Sequence, residues 1–248
     1  MAVRRGEILG IGGPNGAGKT TLFDVVTGVT PPTSGRILLN GREIGGLGAD
    51  RICQMGVART FQLNAAFDSL TILQNVEVAA YYGRGRRGTP GFFVGRETRA
   101  RALEALETVG LTRGLDRIAR DLPVLERKLL MIAGALATDP EIVLLDEPVG
   151  GLSPSEIDGV VGVVRRLAET GVTVVLIEHV MRFLLALSER VIIMHQGRTL
   201  YEGAPETVAD DPRVIETYLG EGATKRLKTY FAEHADAAPL PHAEAPHA

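Results

Sequence analysis

Apolar residues fall along the chain in two spacings. Residues 7–12, 142–145, 173–177 and 190–195 are short, nearly continuous apolar runs, the pattern of strands buried on both faces of a sheet. A further strand is expected at 57–60, and a hairpin at 36–39 and 42–44 about the turn Asn40-Gly41. Other segments carry the helical period. Residues 97–109 place Leu103, Leu106 and Val109 on one face before Gly110, and 123–138 align Leu125, Leu129, Ile132, Ala133 and Leu136. Helices are also expected at 19–27 and 71–81, and after residue 177. Ser153-Pro154-Ser155-Glu156 combines a capping box with a proline at the first helical position. The helix it opens aligns Ile157, Val160, Val161, Val164, Leu167 and Ala168. Buried strands alternating with helices predict an α/β fold: a mostly parallel sheet covered on both faces, with a helical block over 68–138 inserted in it. The tail, 221–248, lacks sustained apolar periodicity and is expected to be disordered.

Composition narrows the function classes. The 248 residues carry a formal net charge of −3, and Trp is absent, so neither a basic face nor a stacking platform points to nucleic acid. The Arg84, Arg86, Arg87 cluster, in a Gly- and Arg-rich loop over 83–95, reads as a solvated loop. The single cysteine, Cys53, can form no intrachain disulfide, and no Cys/His cluster suits structural zinc. His234, His242 and His247 are widely and irregularly spaced, as in a solvated tail. No secretion signal is read at residues 1–6, and apolar stretches such as 172–177 are far shorter than the ~20 residues of a spanning helix. Membrane contact is expected to run through a partner.

Two motifs carry chemistry. Gly13, Pro14, Asn15, Gly16, Ala17, Gly18, Lys19 and Thr20 match G-x-x-x-x-G-K-[ST], after an expected strand and before an expected helix. Glycines let main-chain N–H groups close around phosphate oxygens, and the helix adds its positive dipole end. In such a site Lys19 reaches the β- and γ-phosphates, the Thr20 hydroxyl ligates Mg2+, and Thr21 adds a phosphate hydrogen bond. The motif alone does not separate ATPases, GTPases and kinases. Asp146 closes an apolar strand, where a carboxylate can hold Mg2+ through water; Glu147 beside it is placed to polarise an attacking water.

With these motifs in this order, the chain resembles ABC-transporter ATPases over roughly residues 6–220, which implies the P-loop NTPase fold of that family and the cofactors ATP and Mg2+. The resemblance assigns Gln62, in Arg59-Thr60-Phe61-Gln62, to the family's Q-loop glutamine, which reaches the metal and the attacking water. It assigns His179 to the switch histidine, which holds Glu147 and the γ-phosphate. The stretches 56–62, 177–181 and 211–220 are similar to importers of branched-chain amino acids and related amides or urea. That implies a complex on the cytoplasmic face of a bacterial inner membrane, with transmembrane permease subunits, a second ATPase and a periplasmic substrate-binding protein.

The sequence departs from the family in three places. Only six residues precede the first strand, without the two further strands and adenine-stacking aromatic that the family has there; a truncated start is the expectation. The signature that clasps phosphate across the dimer, Leu-Ser-Gly-Gly-Gln in the family, is Leu122, Pro123, Val124, Leu125, Glu126 here, with Pro123 expected as a plain first helical residue. Ser153 stands where the family often has aspartate. An intact hydrolytic set with a weak signature predicts an asymmetric dimer with a different ATPase chain. The alternatives are a regulatory subunit that binds ATP but hydrolyses it weakly, and an ABC ATPase of DNA repair or translation, which no second cassette, coiled coil or basic face supports.

Overall fold

A computed structural model of the protein describes residues 1–61, 66–84 and 95–233. Strand β1 (Ile8–Gly12) runs into a turn and then helix α1 (Lys19–Val26). A small antiparallel hairpin, β2 (Leu38–Leu39) and β3 (Arg42–Glu43), turns at Asn40-Gly41 as expected. Helix α2 (Ala49–Gln54) leads to β4 (Val57–Arg59). Three helices follow: α3 (Ile72–Tyr82), α4 (Arg96–Val109) and α5 (Val124–Ala137). Thr71 caps α3: its hydroxyl accepts from Gln74 N–H at 3.1 Å, and the Gln74 side chain accepts from Thr71 N–H at 3.0 Å. Gly110 ends α4 in the left-handed conformation.

The alternating part resumes with β5 (Ile142–Asp146), α6 (Pro154–Glu169), β6 (Thr173–Ile177), α7 (Met181–Leu187), β7 (Arg190–His195) and β8 (Arg198–Gly203). The short helix α8 (Pro212–Val214) and helix α9 (Gly220–Glu233) complete the described chain. The main sheet has the order β4-β5-β6-β1-β7-β8. Its first five strands are parallel, and β8 is an antiparallel edge. Period-2 alternation divides the core between the two faces. Ile8, Val174 and Leu176 pack on the side of α3 to α7; Leu9, Ile11, Val175 and Ile177 pack with Phe23 and Ile52 on the other. The doubly covered parallel sheet expected from the apolar runs is what the fold contains.

Four expectations need correction. Leu103 does not face inward with Leu106 and Val109; it is 40% exposed, and Thr98, Ala102 and Ala105 take the inner positions of α4. Pro123 is the residue before the first turn of α5 rather than within it, with extended backbone, and its carbonyl accepts from Arg127 N–H at 3.0 Å. The segment expected to be disordered from 221 is helical to Glu233, where α9 ends, and its Leu227 is buried. Residues such as Lys225, Arg226 and Leu227 are good helix formers, which the composition of the whole tail obscured. Residues 234–248, with the three tail histidines, lie outside the described residues. Finally, α2 and β8 were not expected. The turn before β8, Gln196-Gly197, has φ of 48° and 75°, the positive pair that a two-residue hairpin loop requires.

Candidate active site

The parallel sheet gathers the carboxyl ends of β1, β4, β5 and β6 along one edge, where ligands of open α/β sheets bind. Each strand delivers one part of the motif set there. After β1, Gly13 has φ of 142° and lies so close to β7 that a Cβ would stand 2.2 Å from the Met194 carbonyl oxygen; no other residue fits. Gly18, with φ of 97°, opens α1. The loop is pinned from outside by Gly197 N–H, which donates to the Ala17 carbonyl at 2.9 Å. Pro14 is half-buried, Asn15 and Gly16 are exposed, and Thr20 and Thr21 are exposed on the first turn of α1.

Lys19 is buried and folds back across the loop. Its ammonium donates to the carbonyls of Gly13 at 2.6 Å and Pro14 at 3.0 Å. Burial lowers its pKa, opposed by the nearby carboxylates of Glu147 and Asp146. A cation held at the centre of an N–H-lined turn, with two carboxylates opposite, is an anion cradle whose own carbonyls satisfy the lysine.

Asp146 ends β5 and is 6% exposed. Arg59, at the end of β4, bridges it to α1: the guanidinium donates to Asp146 at 2.8 Å and to Asp24 at 2.6 Å. The same guanidinium lies over the rings of Phe23 and Phe61, 5.5 and 5.1 Å from their centroids. The hydroxyl oxygen of Thr60 accepts from Asp146 N–H at 3.2 Å. Glu147 adopts φ of 49°, a left-handed conformation uncommon for glutamate. Its carbonyl accepts from the Lys128 ammonium of α5 at 2.7 Å, and its N–H donates to Ile177 of β6 at 3.0 Å. The side chain is thereby turned into the crevice, with Glu147 Oε1 3.8 Å from His179 Nδ1. That separation is longer than a hydrogen bond, and both side chains are partly exposed.

Thr20 and Asp146 bring a hydroxyl and a carboxylate, hard oxygen donors, to the mouth of the loop. No group of three or more His, Cys, Asp or Glu suited to a metal occurs among the described residues, so most ligands of an ion here would come from phosphate and water. Gln62 lies outside the described residues. The signature stretch sits at the start of α5: Leu122 is buried, Pro123 and Val124 are exposed, Leu125 is half-buried, and Glu126 pairs with Arg117 at 2.6 Å. This pairing partly offsets the negative charge that Glu126 brings. Ser153 caps α6; its N–H and hydroxyl donate to Glu156 at 2.8 and 2.6 Å.

Three residues of this network were not singled out for a role in the sequence: Arg59, Lys128 and Glu178. Arg59 and Glu178 flank the motif residues closely, which is the only local signal. Arg59 reaches Asp146, 87 positions away, and Glu178 reaches Val149, 29 positions away, besides its neighbours His179 and Val180; Lys128 carries no local mark at all.

The sequence profile described as ABC transporter matches residues 1–150, and one described as branched-chain amino acid ATP-binding cassette transporter matches 198–224. The chain is 39% identical over 229 residues to the high-affinity branched-chain amino acid transport ATP-binding protein BraF of Pseudomonas aeruginosa, covering 89% of this chain and 90% of that one. Among solved structures it is similar to an ATP-binding cassette of an ABC transporter in its ADP conformation, with a TM-score of 0.78, 29% identity and coverage of 89% and 91%. It is also similar to a dimeric cassette in a post-hydrolysis state bound to ADP and Pi, with a TM-score of 0.72, 28% identity and coverage of 83% and 88%. A phosphate loop, two strand-end carboxylates and a facing histidine on this sheet, together with a family match over more than half its length, have one meaning: the chain belongs to the ABC transporter family, as an ATP-binding and ATP-hydrolysing cassette.

Proposed function

We propose that the chain drives import of branched-chain amino acids, or related small polar solutes, from the cytoplasmic face of the inner membrane. Residues 1–220 form the cassette in this reading, with 68–138 as its helical subdomain. What carries the substrate class is the match of residues 198–224 to the branched-chain profile. The solute itself is selected by permease subunits and a periplasmic binding protein.

In the reaction, the main-chain N–H groups of the 13–20 loop other than Pro14, and the start of α1, hold the triphosphate. Lys19 exchanges its loop carbonyls for phosphate oxygens. Thr20 and Asp146, with Gln62, would hold Mg2+, which neutralises phosphate charge when bound. Glu147 accepts the proton of the attacking water, and His179 orients Glu147 and donates to the γ-phosphate. Permease subunits dock at the groove of about 440 Å³ between β4 and the helices α2, α3 and α5. Its lining is mostly apolar and includes Phe61, Phe67, Val78 and Met131, with Phe61 and Phe67 exposed.

The second cassette of the dimer is a different chain. Pro123 offers neither hydroxyl nor N–H, and Val124 and Leu125 fill the space where glycines allow close approach, so α5 clasps a phosphate across a dimer poorly. A partner with a complete signature closes the site built by this chain. The test is ATPase activity of the chain alone and mixed with its partner cassette. Activity that rises on mixing is expected; full activity of the lone chain contradicts the asymmetry. A weakly hydrolysing regulatory subunit is the second reading, favoured by the same residues 122–126. It is distinguished by a mixed complex whose rate does not respond to Glu147→Gln.

A further inference from the structure

Glu178 is wholly buried at the end of β6, between the loop that follows Glu147 and the turn that carries His179. Its two oxygens accept three main-chain N–H groups. Oε1 takes Val149 at 2.9 Å; Oε2 takes His179 at 3.1 Å and Val180 at 3.3 Å. Its own N–H donates to Ile11 of β1 at 3.3 Å. His179 Nδ1 lies 3.7 Å from Oε2, and the Lys128 ammonium, bound to the Glu147 carbonyl, faces both Glu178 and Glu147. Burial pushes this carboxyl up, against the pull of the three N–H donors and His179.

The two bonds to His179 and Val180 are local, one and two positions along the chain and ahead of the first turn of α7. The bond to Val149 is not. Val149 is 29 positions away and two residues beyond Glu147, and no helix end requires it. An apolar side chain would fill the same volume without burying a charge, so the carboxylate answers to its donors rather than to packing. We propose that Glu178 is a positioning residue that fastens the Glu147 loop and the His179 turn into one body, so that the water-polarising carboxylate and the imidazole keep their mutual placement. The proposal rests on the reading of Glu147 and His179 given above.

The test uses the full chain in the mixed ATPase preparation. Glu178→Gln preserves volume but turns one acceptor oxygen into an NH2 group facing a main-chain donor. The expected result is a kcat about ten- to a hundredfold lower, from displaced catalytic groups. KM for Mg-ATP should stay within about twofold, because the phosphate loop is untouched. In a His179→Ala background Glu178→Gln should slow the reaction no further. A KM that rises in step with the fall in kcat, or rate losses that multiply in the double variant, would overturn the proposal and leave Glu178 a packing residue.

Residue-resolved hydrogen exchange of the wild-type chain needs no variant. The amides of Val149, His179 and Val180 should share one opening free energy, with protection factors within about threefold of one another. Independent exchange of Val149 overturns the link even where Glu178→Gln fails to fold. If Glu147→Gln and His179→Ala themselves leave hydrolysis unchanged, the catalytic reading fails, and the exchange result alone then decides whether Glu178 fastens the two segments.

Discussion

Replacing Arg59 by methionine removes the guanidinium that lies over Phe23 and Phe61 and keeps most of the bulk of the aliphatic stem. The Arg59 side chain is 5% exposed and its guanidinium sits between the side chains of Asp146, 4% exposed, and Asp24, 31% exposed. Asp24 can rehydrate, so that half of the bridge contributes only about 0–1 kcal/mol. Asp146 cannot, and breaking a buried pair on one side costs about 3–5 kcal/mol. The Lys19 ammonium is also within electrostatic reach of Asp146. That second cation places the expected loss for Arg59→Met near the lower limit, about 3 kcal/mol. Adding Asp146→Asn to Arg59→Met removes the stranded charge and should restore about 2 kcal/mol of it. Urea unfolding of the nucleotide-free chain, with the double-mutant cycle completed by Asp146→Asn alone, reads both numbers. A loss below about 1 kcal/mol for Arg59→Met, or no recovery in the double variant, would refute the view that Arg59 holds Asp146 in place.

Lys19→Met removes a charge-assisted bond to phosphate of about 1.5–3 kcal/mol, so nucleotide affinity should fall about 10- to 150-fold in a titration with a fluorescent ATP analogue. The triple change Pro123→Ser, Val124→Gly and Leu125→Gly should raise the ATPase rate of the lone chain about tenfold by restoring the donors of the signature. The new glycines should cost about 1 kcal/mol each in thermal stability. Asp211 caps α8; the Arg213 guanidinium, then the N–H groups of Arg213 and Val214, lower its pKa from 3.8 to about 2. Because the folded value is depressed, its contribution is present above about pH 4 and is lost as pH falls through about 2. Circular dichroism should therefore show a shallower acid transition in that window for Asp211→Asn.

Much of the fold was legible because buried parallel strands leave a local mark. The run 142–145 and the run 173–177 are apolar at every position but one and end within five residues, the length of a buried strand. The phosphate loop was legible for a related reason: its chemistry is supplied by consecutive residues, with glycines wherever the backbone must turn the wrong way. Helix α2 and strand β8 were not. Each is stabilised by what it packs on, α2 through the single buried Ile52 and β8 through its pairing with β7. The spacing of leucines does not reveal the inward face of α4, because tight packing against α3 and α5 favours the smaller Thr98, Ala102 and Ala105. In the site, Asp146, Glu147 and His179 could be placed from motif order. The groups that hold them could not, since the contacts of Arg59 to Asp146, Lys128 to Glu147 and Glu178 to Val149 exist only once the sheet has folded.

The central claim is that Glu147 assists water in breaking the terminal phosphoanhydride bond of a nucleotide held by the 13–20 loop. Single-turnover release of phosphate from ATP, comparing wild type with Glu147→Gln at matched nucleotide occupancy, tests it most directly. The account predicts equal binding and a rate about 10²- to 10⁴-fold slower in the variant, the span of a general base removed from its place. Equal rates at equal occupancy would contradict it.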